Sequence, residues 1–200
     1  MKTFSVILAT LVATIAACAS TPPPSAGLPA DAFFAELRTL CGKAYTGRVK
    51  ADTPRSANSP FAGKTLTMHV RECSSDTIRI PFHVGDDRSR TWVLTRTATG
   101  LRLKHDHRHR DGSDDKLTMY GGDTASPGTS MRQEFPVDAE SIALFQREGS
   151  AASVTNTWAM ELVPGKALVY ALSRPGGRLF QVEFDLTRPV PPPPPPWGGK

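Results

Sequence analysis

The sequence predicts a mainly β protein: an antiparallel barrel or two-sheet sandwich of about ten strands, with an N-terminal capping helix and one further short helix. Three observations carry this. Apolar and polar residues alternate in short runs between residues 65 and 186. Turn residues punctuate those runs at Gly85-Asp86-Asp87, Ala98-Thr99-Gly100, Asp111-Gly112, Pro164-Gly165 and Pro175-Gly176-Gly177. Helical spacing of apolar residues occurs in only two stretches. Short connections imply antiparallel neighbours, and many such strands bury their apolar faces by closing into a barrel or stacking as two sheets.

The first helical stretch covers 31–41. Asp31 suits an N-cap, Phe33, Phe34, Leu37, Leu40 and Cys41 share one face, and Gly42 is a natural stop. Strand 65–73 puts Leu66, Met68 and Val70 on one face, and strand 77–84 aligns Ile78, Ile80, Phe82 and Val84. Strand 91–97 pairs Trp92 with Leu94. A short helix fits 138–148, with Pro136 before it, Ile142 and Phe145 on one face and Gly149 after it. Three strands follow: 157–163 with Trp158, Met160 and Leu162, 167–173 with Leu168, Tyr170 and Leu172, and 179–186 with Phe180, Val182, Phe184 and Leu186. There is no internal repeat.

Four regions follow along the chain: an export signal over 1–17, a proline-rich tether over 18–29, one β-rich domain over 30–187, and a proline-rich tail over 188–200. Met1-Lys2 starts the chain with positive charge, and residues 4–17 carry none. That is the layout of a secretory signal, and the apolar run is shorter than the roughly 20 residues a membrane span needs. It ends in Ile15-Ala16-Ala17-Cys18, which resembles the bacterial lipobox. The resemblance implies cleavage before Cys18, a diacylglyceryl group on its thiol and anchoring by acyl chains that each gain about 0.8 kcal/mol per buried CH₂. The alternative is an ordinary signal cut at Ala-x-Ala. Ala19, where an aspartate would favour the inner membrane, points to an outer-membrane lipoprotein facing the periplasm.

Loss of residues 1–17 removes one lysine and no acid, so the net charge of +5 becomes +4. The excess is spread along the chain, and no nucleic-acid-binding signature accompanies it, so no nucleic-acid partner is expected. Cys41 and Cys73 remain after Cys18 and, in an exported protein, read as a disulfide. Two free thiols or a metal pair is the alternative. The tether holds Pro22-Pro23-Pro24, and the tail holds the six prolines Pro191–Pro196 before Trp197. Proline offers no backbone donor, so the tail is expected as a polyproline II rod or a disordered end.

Residues 101–110 hold the clearest pattern. Leu101, Leu103, His105, His107 and His109 alternate with Arg102, Lys104, Asp106, Arg108 and Arg110. The leucines mark the histidine face as inward, whereas His69 and His83 lie on the polar faces of their strands. Neighbouring histidines at i and i+2, about 6.6–7 Å apart, could share zinc or another transition metal with a further ligand. His105 and His109, about 13 Å apart, could not easily do so. The competing readings give the three histidines structural hydrogen bonds to inward polar groups, Tyr120 among them, or general acid–base work.

Trp92, Arg96 and Tyr120 are the candidate ligand contacts. Arg96 continues the face of Trp92 and Leu94, where it could meet a ligand carboxylate or reach out to water. Asp111-Gly112-Ser113-Asp114-Asp115 lacks calcium-loop spacing and reads as a hairpin turn. No nucleophile motif or phosphate loop occurs, which favours a non-enzyme. In architecture alone the strand count resembles the fatty-acid-binding end of the calycin superfamily, whose sequence signature the chain lacks; apolar inward strand faces would hold a ligand if the barrel encloses an empty cavity. Residues 88–94 and 103–109 resemble uncharacterised secreted proteins of proteobacteria, which implies no particular activity. The expected function is therefore a membrane-anchored binding module for a small amphipathic ligand. A metal protein or metal-dependent enzyme built on the histidine strand, and a structural envelope lipoprotein acting through protein contacts, are the alternatives.

Overall fold

The structure, a computed structural model, describes residues 27–55 and 59–199. The export signal, Cys18 and residues 19–26 of the tether lie outside the described residues. The chain forms helix α1 (Pro29–Arg38), strands β1 (Ala44–Thr53), β2 (Leu66–His69), β3 (Glu72–Cys73), β4 (Thr77–Val84), β5 (Asp87–Arg96), β6 (Leu101–His107), β7 (Tyr120–Asp123) and β8 (Arg132–Pro136), helix α2 (Ala139–Arg147), and strands β9 (Thr157–Val163), β10 (Ala167–Arg174) and β11 (Arg178–Val190). A single 3-10 turn, Ala151–Thr155, precedes β9. The mainly β expectation holds, as an antiparallel barrel rather than a sandwich.

The eleven strands form one sheet in the order β7-β6-β5-β4-β2-β1-β11-β10-β9-β8, with β3 paired to β4. The sheet curls until its two end strands nearly meet. At that seam the Asp138 amide donates to the Gly121 carbonyl at 3.0 Å. A Cβ on Gly122 would lie 1.8 Å from the Pro136 carbonyl oxygen, so only glycine lets the two backbones come this close. The sheet thereby hides most of its two edges.

Helix α1 closes one end of the barrel. It starts before Asp31, because Pro29 at the first turn has no amide to satisfy and its fixed φ suits a helix. Leu28 is the N-cap, without a side-chain capping bond. Asp31 instead sits in the first turn, where its charge favours the helix dipole, and pairs with Arg96 of β5 at 2.5 Å. Phe33, Phe34 and Leu37 are fully buried in the core. Gly42, at φ 81°, then turns the chain so that its amide meets the Val70 carbonyl at 2.7 Å. Cys41 and Cys73 form the expected disulfide, with an S–S distance of 2.03 Å and Cα atoms 6.3 Å apart.

Helix α2 begins as its sequence implies, with the Asp138 carboxylate accepting from the Ser141 amide at 2.8 Å. Lys104 of β6 ties it down through ion pairs to Asp138 at 2.8 Å and Glu140 at 3.0 Å. Strand β11 continues past residue 187 to Val190, which pairs with Ala44. The prolines after it run back along the outside of the barrel. There the Trp197 amide donates to the Arg88 carbonyl and the Arg88 guanidinium donates to the Pro195 carbonyl, both at 3.0 Å.

Candidate ligand-binding site

The core is continuous from α1 to about the middle of the barrel, where Trp92 of β5 and Tyr170 of β10 meet face to face. Their ring centroids are 4.4 Å apart, at 22°. These strands lie on opposite walls, so the contact fills the barrel below it and leaves a cavity above. The cavity has a volume of about 410 Å³ and opens at the end opposite α1. Clefts of roughly 300–1,000 Å³ with mostly aromatic walls and a few polar groups are the usual form of small-ligand sites.

Trp92, Trp158, Tyr120 and Tyr170 make the floor, and Phe61 stacks on Phe180 at 4.4 Å to make one wall. Each strand residue reaches the cavity by the alternation that also builds the core. Tyr170 and Leu172 are followed on the same face by Arg174, and Phe180 is preceded by Arg178. The polar groups of the rim are Arg90, His107, Asp115, Ser153, Asn156, Arg174 and Arg178.

His105 is buried, and both ring nitrogens are engaged. Nδ1 lies 3.1 Å from the Tyr120 carbonyl oxygen, and Nε2 lies 2.8 Å from the Tyr170 hydroxyl. A carbonyl only accepts, so Nδ1 carries the proton. Burial, with a smaller push from His107, lowers the His105 pKa to about 3, so the ring is neutral. Nε2 must then accept, and Tyr170 donates to it. Neither nitrogen has a lone pair free for a metal. This is the structural role that the sequence left open for the histidine strand.

His107 reaches the rim, where its Nε2 is 3.2 Å from the Tyr120 hydroxyl. Burial and then Arg90 lower its pKa to about 4, and burial raises that of Tyr120 to about 12. At neutral pH both groups are uncharged and far from the pKa that proton transfer favours. They suit hydrogen-bond recognition better. Strand β6 ends at His107, so His109 leaves the inward face and sits exposed in the following turn, 3.9 Å from Asp115. Among the described residues no three histidine, cysteine, aspartate or glutamate side chains converge as a metal set.

Of the candidate ligand contacts, Trp92 and Tyr120 line the cavity. Arg96 does not: it stands at the α1 end of β5, about 20 Å along the strand from Arg90, paired with Asp31 and lying over the Phe34 ring. Arg90, at the other end of the same strand, holds the rim position. Sequence reasoning also passed over Arg174 and Arg178. Their flanking of the Pro175-Gly176-Gly177 turn was a usable sign, because a hairpin turn must stand at one end of a barrel.

In comparison with known proteins, no family model matches the chain, and no curated protein or solved structure matches it significantly.

Proposed function

We propose that this protein is a lipid-anchored binding module of the bacterial cell envelope, holding a small amphipathic ligand at the open end of its barrel. The observation that carries the reading is the cavity of about 410 Å³, lined by aromatic rings together with the charged side chains Arg90, Asp115, Arg174 and Arg178. An apolar floor gains energy from covering the ligand body, and rim groups orient its polar end.

The binding reading is tested with the neutral fluorescent probe 1-aminoanthracene and the full chain. Saturable binding with micromolar affinity is expected, with energy transfer from Trp92 and Trp158. Leu172 lines the rim and is half-buried, so Leu172→Trp fills the cavity without cutting into the core. That change should weaken probe binding about tenfold or more. Binding that ignores it would place the probe elsewhere and remove the reading.

Anchoring rests on the lipobox resemblance at Ile15-Ala16-Ala17-Cys18 and on Ala19, which favours the outer membrane facing the periplasm. A cell fed an alkyne-tagged fatty acid should label the wild-type chain and not Cys18→Ser. Equal labelling of both, or of neither, would return the leader to an ordinary signal peptide. The proline-rich tether after Cys18 would hold the cavity away from the bilayer.

A further inference from the structure

The rim is not electrically uniform. Arg174 and Arg178 are direct partners across the β10–β11 ladder, and both lie on the inward face. Like charges directly opposite each other on neighbouring strands repel. Arg178 is relieved by Asp52, whose carboxylate lies 2.5 Å from it. Arg90 is relieved in the same way by Asp87. Arg174 has no carboxylate partner among the described residues; its Nε donates only to the Asn156 amide oxygen, at 2.6 Å. Its terminal nitrogens have no hydrogen-bond acceptor among the described residues, and the residue lines the cavity. Burial and the Arg178 charge both disfavour its protonated form. Asp115, the carboxylate of the rim, belongs to the β6–β7 connection on a distant wall.

We propose that Arg174 is the anion subsite of this cavity and that the ligand is a small carboxylate with an aromatic or compact apolar body. The inference rests on the binding reading above and names its ligand class. A carboxylate at Arg174 would complete the missing ion pair with charge-assisted hydrogen bonds and remove the repulsion from Arg178. Asn156 holds the guanidinium by its Nε, so the paired terminal nitrogens are already oriented for a planar acceptor. The apolar body would then lie over the Trp92–Tyr170 floor, which stops at the barrel's middle and so limits the ligand's length. Asp115 would repel the carboxylate from the other side of the mouth and fix its direction.

The test uses two probes of one shape, 2-naphthaleneacetate and 2-naphthaleneacetamide, titrated calorimetrically into the full chain. The wild type should bind the acid about tenfold or more tightly than the amide, the size of one charge-assisted pair. Arg174→Gln should reduce that preference to near unity by weakening the acid far more than the amide, and Arg96→Gln, at the far end of the barrel, should keep the preference. Arg174→Gln loses both the like-charge contact and the bond to Asn156, so circular dichroism confirms that the variant is folded before it is titrated. Equal binding of acid and amide by the wild type, or a preference that survives Arg174→Gln, overturns the carboxylate subsite and leaves the cavity reading standing. Failure of both probes to bind removes the cavity reading and the subsite with it.

Discussion

Stability should fall steadily as pH drops from 6.5 to 4.5, by about 1 kcal/mol per pH unit for each histidine that stays neutral in the native state. Three histidines are responsible. Burial is the first cause in each, and it lowers His105 to about 3, His107 to about 4 and His83 to about 4. Neighbouring charges modify the burial effect. His107 and Lys104 push His105 down; Arg90 pushes His107 down while Asp115, Asp106 and Asp87 pull it up. His83 lies on the outer face beside Trp197, lowered further by Arg88, His69 and Arg71 and raised by Asp87. In the unfolded chain each would titrate near 6.5. Above that value both states are neutral and the profile is flat. As pH falls below 6.5 the unfolded chain binds protons that the native state refuses, so stability drops until the native pKa values are reached. Unfolded carboxylates titrate near pH 4, so the window from 6.5 to 5 belongs to the histidines. Urea unfolding at pH 7.5, 6.0 and 5.0, followed by circular dichroism, measures the slope. Uptake of fewer than one proton on unfolding at pH 5 would show that these rings are hydrated in the native protein.

The same histidines show what a sequence reveals and what it hides. Period-two alternation placed His105 and His107 on the inward face correctly, because leucines at 101 and 103 fix the phase. It continued the pattern to His109, where the backbone has already turned and the His109 amide bonds to the Ser113 carbonyl. The alternation also could not say what His105 would meet. Its partner Tyr170 is 65 residues away, across a barrel whose closure depends on glycines at the seam. Arg96 is the complementary case: it shares a strand face with Trp92, but the phase of a strand does not tell which end of the barrel a residue faces. That was settled by the docking of α1, through contacts no local pattern contains.

Strand detection followed the same logic. Runs such as Ile78-Arg79-Ile80 and Trp158-Ala159-Met160 were legible because one face is buried and the other is not. Strand β1 was not, because Arg48, Val49 and Lys50 are exposed together, and bulges against β11 break its register. Strands β7 and β8 are four and five residues long, and the first contains Gly121-Gly122. Glycine is a poor strand former in isolation. Here it is required by the close approach of β7 to its neighbours, a reason that exists only once the sheet has closed.

Replacing both bridged cysteines, Cys41→Ala with Cys73→Ala, should cost about 4 kcal/mol and lower the melting temperature by roughly 10 °C, from the loop-closure entropy of a 32-residue separation. Cys41 is exposed and Cys73 only half-buried, so little packing is lost with the sulfurs. The effect should therefore arise mainly in the unfolded chain, which becomes more expanded and steepens the denaturant dependence of unfolding. A loss below about 1 kcal/mol would mean that α1 and β3 stay associated without the bond, through Phe33, Phe34 and the paired Gly42–Val70 backbone contacts. Ligand-probe affinity distinguishes the two ends of the barrel. The disulfide staples the end closed by α1, whereas the cavity opens at the other, beyond the Trp92–Tyr170 contact. A folded double variant should thus bind the naphthalene probes as the wild type does. Loss of binding with the fold intact would mean that order at the mouth depends on the staple at the base, and that the packed floor between them transmits it.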